Sequence, residues 1–398
     1  MLTTEQILLL FFSTILLIGL SLYLWLRTPP PLERLPPRAQ VPPVKLPSVT
    51  LKWMDDVPFH ESAQFINQPE EWRRRMLKVG QTLNAAGVKQ IYFLHGTFTG
   101  SDPFNVLPPF KSLMPQLAQQ WEQMIESKMK RAVDILARDI GNFSNDYVQL
   151  VEDATGKRIP CHTLHWSSAN HHWGRLQGAL RLIEDLHQRF PNGPEGRILL
   201  IGHSHARQVF ALFTQLLTDS TLGQDLWKVI EDEQLGTTDL PLIARQLSHG
   251  HYDFVTLGGP LRYPLAMTDR MRFLHLVNHR GKGELAENML NLWTTAGGDY
   301  VQQWGCHGSD TLATTHKERV INRKLDALLG KGIDTRVWVH TVATRLRVGD
   351  VGQTLLIDYG DQGGFRINCL PTVFGHGIYT RGRVMLFNME LICRYFYE

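Results

Sequence analysis

Residues 197–207 read Arg-Ile-Leu-Leu-Ile-Gly-His-Ser-His-Ala-Arg, and an apolar-striped segment, 208–217, follows them. An unbroken apolar run, a short polar turn and an amphipathic stretch predict a buried strand, a sharp bend and a helix, with Ser204 at the bend. Such a nucleophile elbow holds its serine on strained backbone. It also needs small residues two before and two after, so that helix and strand can pass closely. Gly202 and Ala206 meet that need. A serine hydroxyl is a weak nucleophile at neutral pH. It attacks a carbonyl only beside a base, and the tetrahedral intermediate needs fixed N–H donors.

Donors of that kind are offered upstream, where the apolar run 90–94 ends in His95-Gly96-Thr97. The Thr97 N–H is one candidate, with Gly96 giving the loop freedom, and the His205 N–H beside the nucleophile is the second. For the base, His376 sits between Gly375 and Gly377 on a late loop, where glycines let the backbone present an imidazole. His316 falls at a helix start and His340 inside a strand, where packed or solvated histidines are the rule. His279 and His307 come earlier in the chain. A cluster of six histidines, His162, His165, His171, His172, His203 and His205, raises the question of a metal. His171 and His172 point to opposite sides of any regular element, and no Asp or Glu stands at ligand spacing among the six. Neither a metal nor a cofactor is expected.

Together the His-Gly-Thr loop, the Trp166-Ser167-Ser168-Ala169-Asn170 stretch that runs on to Arg175, the Gly202-His203-Ser204-His205-Ala206 turn, the Gly297-Gly298-Asp299-Tyr300 stretch and Gly375-His376-Gly377 resemble the bacterial α/β-hydrolases of the lipase and esterase type. The resemblance runs from about residue 88 to the C-terminus. It implies a triad in the chain order nucleophile, acid, histidine: Ser204, Asp299 and His376, with Asp310 as the alternative acid and Asp358 and Asp361 further from the pattern. It also implies an oxyanion hole at Thr97 and His205 and carboxylic-ester or lipid substrates. The chain departs from the pattern at Ser168 and at Ala206-Arg207, where glycines are more typical.

The elements that would carry these residues alternate between short apolar runs and helical patterns. Strands are expected at 90–94, 159–164, 197–201, 252–257, 273–277, 337–342 and 354–358, and a helix at 70–86. This predicts an α/β-hydrolase body, 51–398, with a mostly parallel central sheet and helices on both faces. Two helical insertions, about 111–140 and 218–250, carry apolar stripes. They are expected either to pack on the core or to cover an acyl pocket, through Trp121, Met124, Trp227 and Ile230.

Residues 7–26 form an uncharged run that as a helix would rise about 30 Å, which predicts a single-pass N-terminal anchor within 1–28. A proline-dense spacer is expected over 29–50. Arg27, Arg34, Arg38 and Lys45 follow the run, which places the downstream body on the cytoplasmic side of a membrane. A net charge of +3 without a lysine-rich tract argues against nucleic acid as a partner. Four widely spaced cysteines with no CxxC pair indicate neither a zinc ribbon nor a disulfide framework. The expectation is a serine hydrolase of lipid-like or small carboxylic esters. The alternatives are a transacylase or thioesterase with the same triad, or a catalytically silent scaffold of the same fold at the membrane.

Overall fold

The computed structural model describes residues 48–50, 59–60, 64–97, 139–237, 239–280, 295–305, 310–311, 313–330, 351–360 and 373–398. Six of the expected apolar runs form strands: β2 (Val88–Leu94), β3 (Cys161–Leu164), β4 (Arg197–His203), β5 (His251–Leu257), β6 (Met271–Asn278) and β7 (Gln353–Asp358). A three-residue strand, β1 (Ser48–Thr50), lies along β7 at the sheet edge, so the expected spacer ends in paired backbone. The order is β1-β7-β6-β5-β4-β2-β3, and every neighbouring pair is parallel. The strand expected at 337–342 lies outside the described residues.

Parallel strands are covered on both faces, which is why these runs are continuously apolar. In β4, Ile198 and Leu200 face one core while Leu199 and Ile201 face the other, as the two-residue repeat of a strand dictates. The helices are α1 (Glu70–Ala85), α2 (Asn145–Ala154), α3 (His172–Arg189), α4 (Ala206–Leu217), α5 (Thr221–Asp232), α6 (Leu240–Leu247), α7 (Tyr300–Gly305), α8 (His316–Leu329) and α9 (Gly382–Phe396). Trp72 of α1, Tyr147 of α2 and Val384 of α9 join the core of Leu199 and Ile201. Leu176 of α3, Val209 of α4, Leu226 of α5, Leu240 of α6 and Ile321 of α8 join the other. The molecule is therefore an α/β protein with helices on both faces of a parallel sheet.

The chain steps outward from β2 to β3 and then returns to place β4 on the other side of β2. That reversal opens a crevice beyond the carboxyl ends of β2 and β4, where α/β proteins gather their functional loops. Gly96 and Ser204 sit there. The insertion 218–250 does not. It joins the far end of α4 to the start of β5, at the amino edge of the sheet, and its apolar stripe is core: Leu226, Ile230 and Leu247 are buried, and Trp227 donates Nε1–H to the Leu216 carbonyl at 3.1 Å. Most of the other insertion lies outside the described residues.

The single-pass membrane placement expected from residues 7–26 is corrected, and the cytoplasmic assignment falls with it. Among the described residues no helix is long and apolar enough to cross a membrane. The longest, α3 with 18 residues, carries Arg175, Arg181, Glu184, Asp185 and Arg189, charges that a bilayer core rejects. Its apolar stripe packs on the protein instead. The run 7–26 and the expected transmembrane helix lie outside the described residues.

Candidate functional site

Ser204 follows β4 directly, with φ of 56°, in the left-handed region that serine rarely enters. The strain is held from both sides. The Ser204 N–H donates to the Leu257 carbonyl of β5 at 2.9 Å, and the Ser204 carbonyl accepts the Arg207 N–H at 3.1 Å. The small residues at 202 and 206 are needed sterically. A Cβ on Gly202 would come within 2.5 Å of the Phe210 ring and 2.8 Å of the Ala206 Cβ. Arg207, unexpected so early in this helix, is buried and donates Nη1–H to the carbonyls of Pro260 and Tyr263, bracing the loop after β5.

The loop carrying Thr97 lies against Ser204, for a Cβ on Gly96 would stand 2.7 Å from the Ser204 Cβ. Trp166 fixes that loop by donating Nε1–H to the His95 carbonyl at 3.0 Å and stacking on the His95 ring. Thr97 and the start of α4 thus flank Ser204, the places from which two backbone N–H groups, of Thr97 and His205, can serve an oxyanion.

His376 and Asp299 are brought together although 77 positions apart: Nδ1 of His376 lies 2.7 Å from Oδ2 of Asp299. Nδ1 carries the proton in this pair, which leaves Nε2 as the basic nitrogen. Nε2 is buried and makes no hydrogen bond among the described residues, Ser204 included. A serine–imidazole contact of a catalytic kind is often open without substrate and closes only around it. Asp299 is fully buried. Burial alone would raise its pKa. The His376 ring, the Gln302 N–H (2.9 Å) and the Tyr379 hydroxyl (2.8 Å) outweigh that and hold the carboxyl below its ordinary value. Gly298 and Gly375, both at positive φ, allow the two loops to touch. A Cβ on Gly375 would lie 2.1 Å from the Gly298 carbonyl oxygen.

Asp310, the alternative acid, is committed elsewhere. Its Oδ1 meets the guanidiniums of Arg262 at 2.5 Å and Arg175 at 2.7 Å, and these two charges depress its pKa strongly against the opposing effect of burial. Asp358 pairs with Arg280 at 2.9 Å, and Asp361 lies outside the described residues. Of the other histidines considered as the base, His279 bridges to Gly298, His316 opens α8, and His307 and His340 lie outside the described residues.

Sequence reading passed over Tyr379, three positions after His376. Its hydroxyl donates to Asp299 and accepts the Asn278 N–H at 2.8 Å, while Asn278 donates its amide to the Gly375 carbonyl at 3.0 Å. A tyrosine so close to the predicted base was the available signal. Four of the six histidines serve separate ends. His171 caps α3 by accepting the Gly174 N–H, His172 accepts from the Tyr263 hydroxyl, His203 bonds the His376 carbonyl, and His162 contacts Arg189. Among the described residues no group of three or more His, Cys, Asp or Glu is arranged to hold a metal ion. Comparison with protein-family models, with curated proteins and with solved structures finds nothing that matches this chain.

Proposed function

We propose that the chain is a serine hydrolase of carboxylic esters built on an α/β-hydrolase fold. The observation that carries this reading is the pairing of a left-handed Ser204 at the β4–α4 turn with a buried Asp299–His376 couple at the same edge of the sheet. Ser204 Oγ attacks the ester carbonyl while His376 Nε2 takes its proton, and Asp299 stabilises the imidazolium that forms. The N–H groups of Thr97 and His205 receive the oxyanion. His376 then returns the proton to the leaving alcohol, and a water activated by the same nitrogen releases the acyl group from Ser204. The lipid-like substrate expected from the sequence leaned on membrane placement, so the proposal extends to carboxylic esters without that restriction.

A fluorophosphonate probe tests it. The folded wild type should label and hydrolyse p-nitrophenyl esters, and Ser204→Ala should lose both. No labelling of folded wild type, or labelling that survives Ser204→Ala, would sink the assignment.

A further inference from the structure

A second cluster of charge, Arg175, Arg262 and Asp310, has no part in the triad. Arg175 is fully buried near the start of α3. Its Nη1 donates to the Tyr263 hydroxyl at 2.8 Å and lies 2.7 Å from Asp310 Oδ1, and its Nη2 donates to Asn170 Oδ1 at 2.5 Å. Arg262 places Nη1 on the same Asp310 oxygen at 2.5 Å and Nη2 on the Gly330 carbonyl at 3.1 Å. Two guanidiniums therefore share one carboxylate, and Asp326, which meets His172 Nε2 at 3.2 Å, is the more exposed acid.

The cluster has donors to spare. Arg175 Nε–H and both ring nitrogens of His205, one a donor and the other an acceptor in the neutral imidazole, are buried and make no hydrogen bond among the described residues. His205 directly follows Ser204, and a Cβ on Gly305 would lie 3.8 Å from its Nε2 and 2.4 Å from Pro260, two positions before Arg262; burial first, and then the Arg175 charge, keep the ring neutral. Leaving such groups unsatisfied costs about 1–3 kcal/mol each, more where the group is charged. Unsatisfied donors at a reactive centre are what a ligand would satisfy. Asp310 Oδ2, which accepts no hydrogen bond and lies 3.6 Å from His172 Nε2, would repel an anion, but it is one buried carboxylate against two guanidiniums, since Asp326 is the more exposed and better screened by solvent.

We propose that Arg175, Arg262 and the His205 ring form an anion subsite that receives a phosphate or carboxylate group carried by the ester substrate next to its scissile carbonyl. This rests on the hydrolase reading for its substrate but not for its binding. Guanidinium forks suit the oxygens of either anion.

The test is calorimetric titration of the full-length Ser204→Ala protein, which needs no turnover, with glycerol 3-phosphate, with succinate and with glycerol. One or both anions should bind saturably and glycerol should not, with the preferred anion separating a phosphate-bearing from a carboxylate-bearing substrate. Adding Arg262→Gln or His205→Ala to the folded protein should weaken that binding about tenfold or more. Arg175→Met is left aside because removing a buried guanidinium endangers folding. Absence of saturable binding by both anions, or binding that neither added substitution weakens, would overturn the subsite. A wild type that fails to label with fluorophosphonate would overturn the hydrolase reading and leave this measurement standing.

Discussion

His203 Nε2 lies 3.0 Å from the main-chain carbonyl of His376, and the two rings stand 4.5 Å apart. The residue before the proposed nucleophile thus holds the backbone of the proposed base, tying the β4 turn to a loop 173 positions away. Burial drives the His203 pKa down to about 3, so the ring is neutral and its Nε2–H is the donor. His203→Ala should release the His376 loop and lower kcat about a hundredfold, the scale of loss that follows a shift of about 1 Å in a catalytic group. KM should change little, and His203→Asn, which can donate from nearby, should recover part of the rate. A folded His203→Ala protein with undiminished kcat would show that the bond does no positioning.

The acid can be assigned by two substitutions. Asp299 holds His376, whereas Asp310 holds Arg175 and Arg262. Asp299→Asn should therefore cut kcat by about 10⁴ through loss of the correct imidazole tautomer. Asp310→Asn should leave turnover of a neutral ester within about tenfold, while it lowers the midpoint of urea unfolding because two buried guanidiniums lose their counter-charge. Equal loss of kcat in both variants would argue against the assignment.

Much of this was legible because the signals were local. The apolar run of β4 ending in Gly202-His203-Ser204, the spacing to Ala206, and the glycines around His376 each state a backbone requirement that sequence alone displays. The choice between Asp299 and Asp310 was not local. Both are turn aspartates, and what separates them is which basic group lies across from each, a matter of sheet order rather than of neighbours in the chain. The stripe of Leu222, Leu226 and Ile230 illustrates the same limit. Periodicity marks the face that is buried but not what buries it, and here the cover is the protein body at the edge away from Ser204. The run 7–26 shows that length and hydropathy suggest a span, yet no described helix supplies one.

Asp253 in β5 is the counterpart of the site at the other end of the sheet. Fully buried, it accepts from Arg197 at 3.1 Å, from Arg272 at 2.7 and 2.8 Å, and from the Tyr397 hydroxyl at 2.8 Å. Arg272 also donates to the Phe396 carbonyl at 2.6 Å, so the cluster ties the end of α9 to the sheet. Asp253→Ala leaves these groups without their anion and should cost about 3–5 kcal/mol, read as a lower urea midpoint. Because β5 spans the sheet between Asp253 and the Ser204 turn, kcat of the folded fraction should be close to that of the wild type. A loss under 1 kcal/mol would show that water replaces the carboxylate at no net cost.

The last prediction concerns pH. Burial first of all, with neighbouring cations adding to it, lowers the pKa of His171 to about 4 and of His172, His203 and His275 to about 3, while His205 is held well below its ordinary value. A histidine whose folded pKa lies below its unfolded one binds its proton first in the unfolded chain. As pH falls from about 6.5, the unfolded state takes up protons that the native state refuses, and stability drops until the native pKa is reached near 3 to 4. Each such histidine contributes up to about 1.4 kcal/mol per pH unit in that window. His275 isolates the effect, since it lies outside the candidate site and sits between the Thr256 hydroxyl at 2.6 Å and the Val351 carbonyl at 2.9 Å, with Arg207 as the nearby cation. Urea unfolding of the wild type should show stability falling steeply between pH 6.5 and pH 4, and His275→Gln should flatten that slope by about one histidine's share. A wild-type curve that is level from pH 7 to pH 5 would mean that these imidazoles take up protons in the folded state as readily as in the unfolded chain.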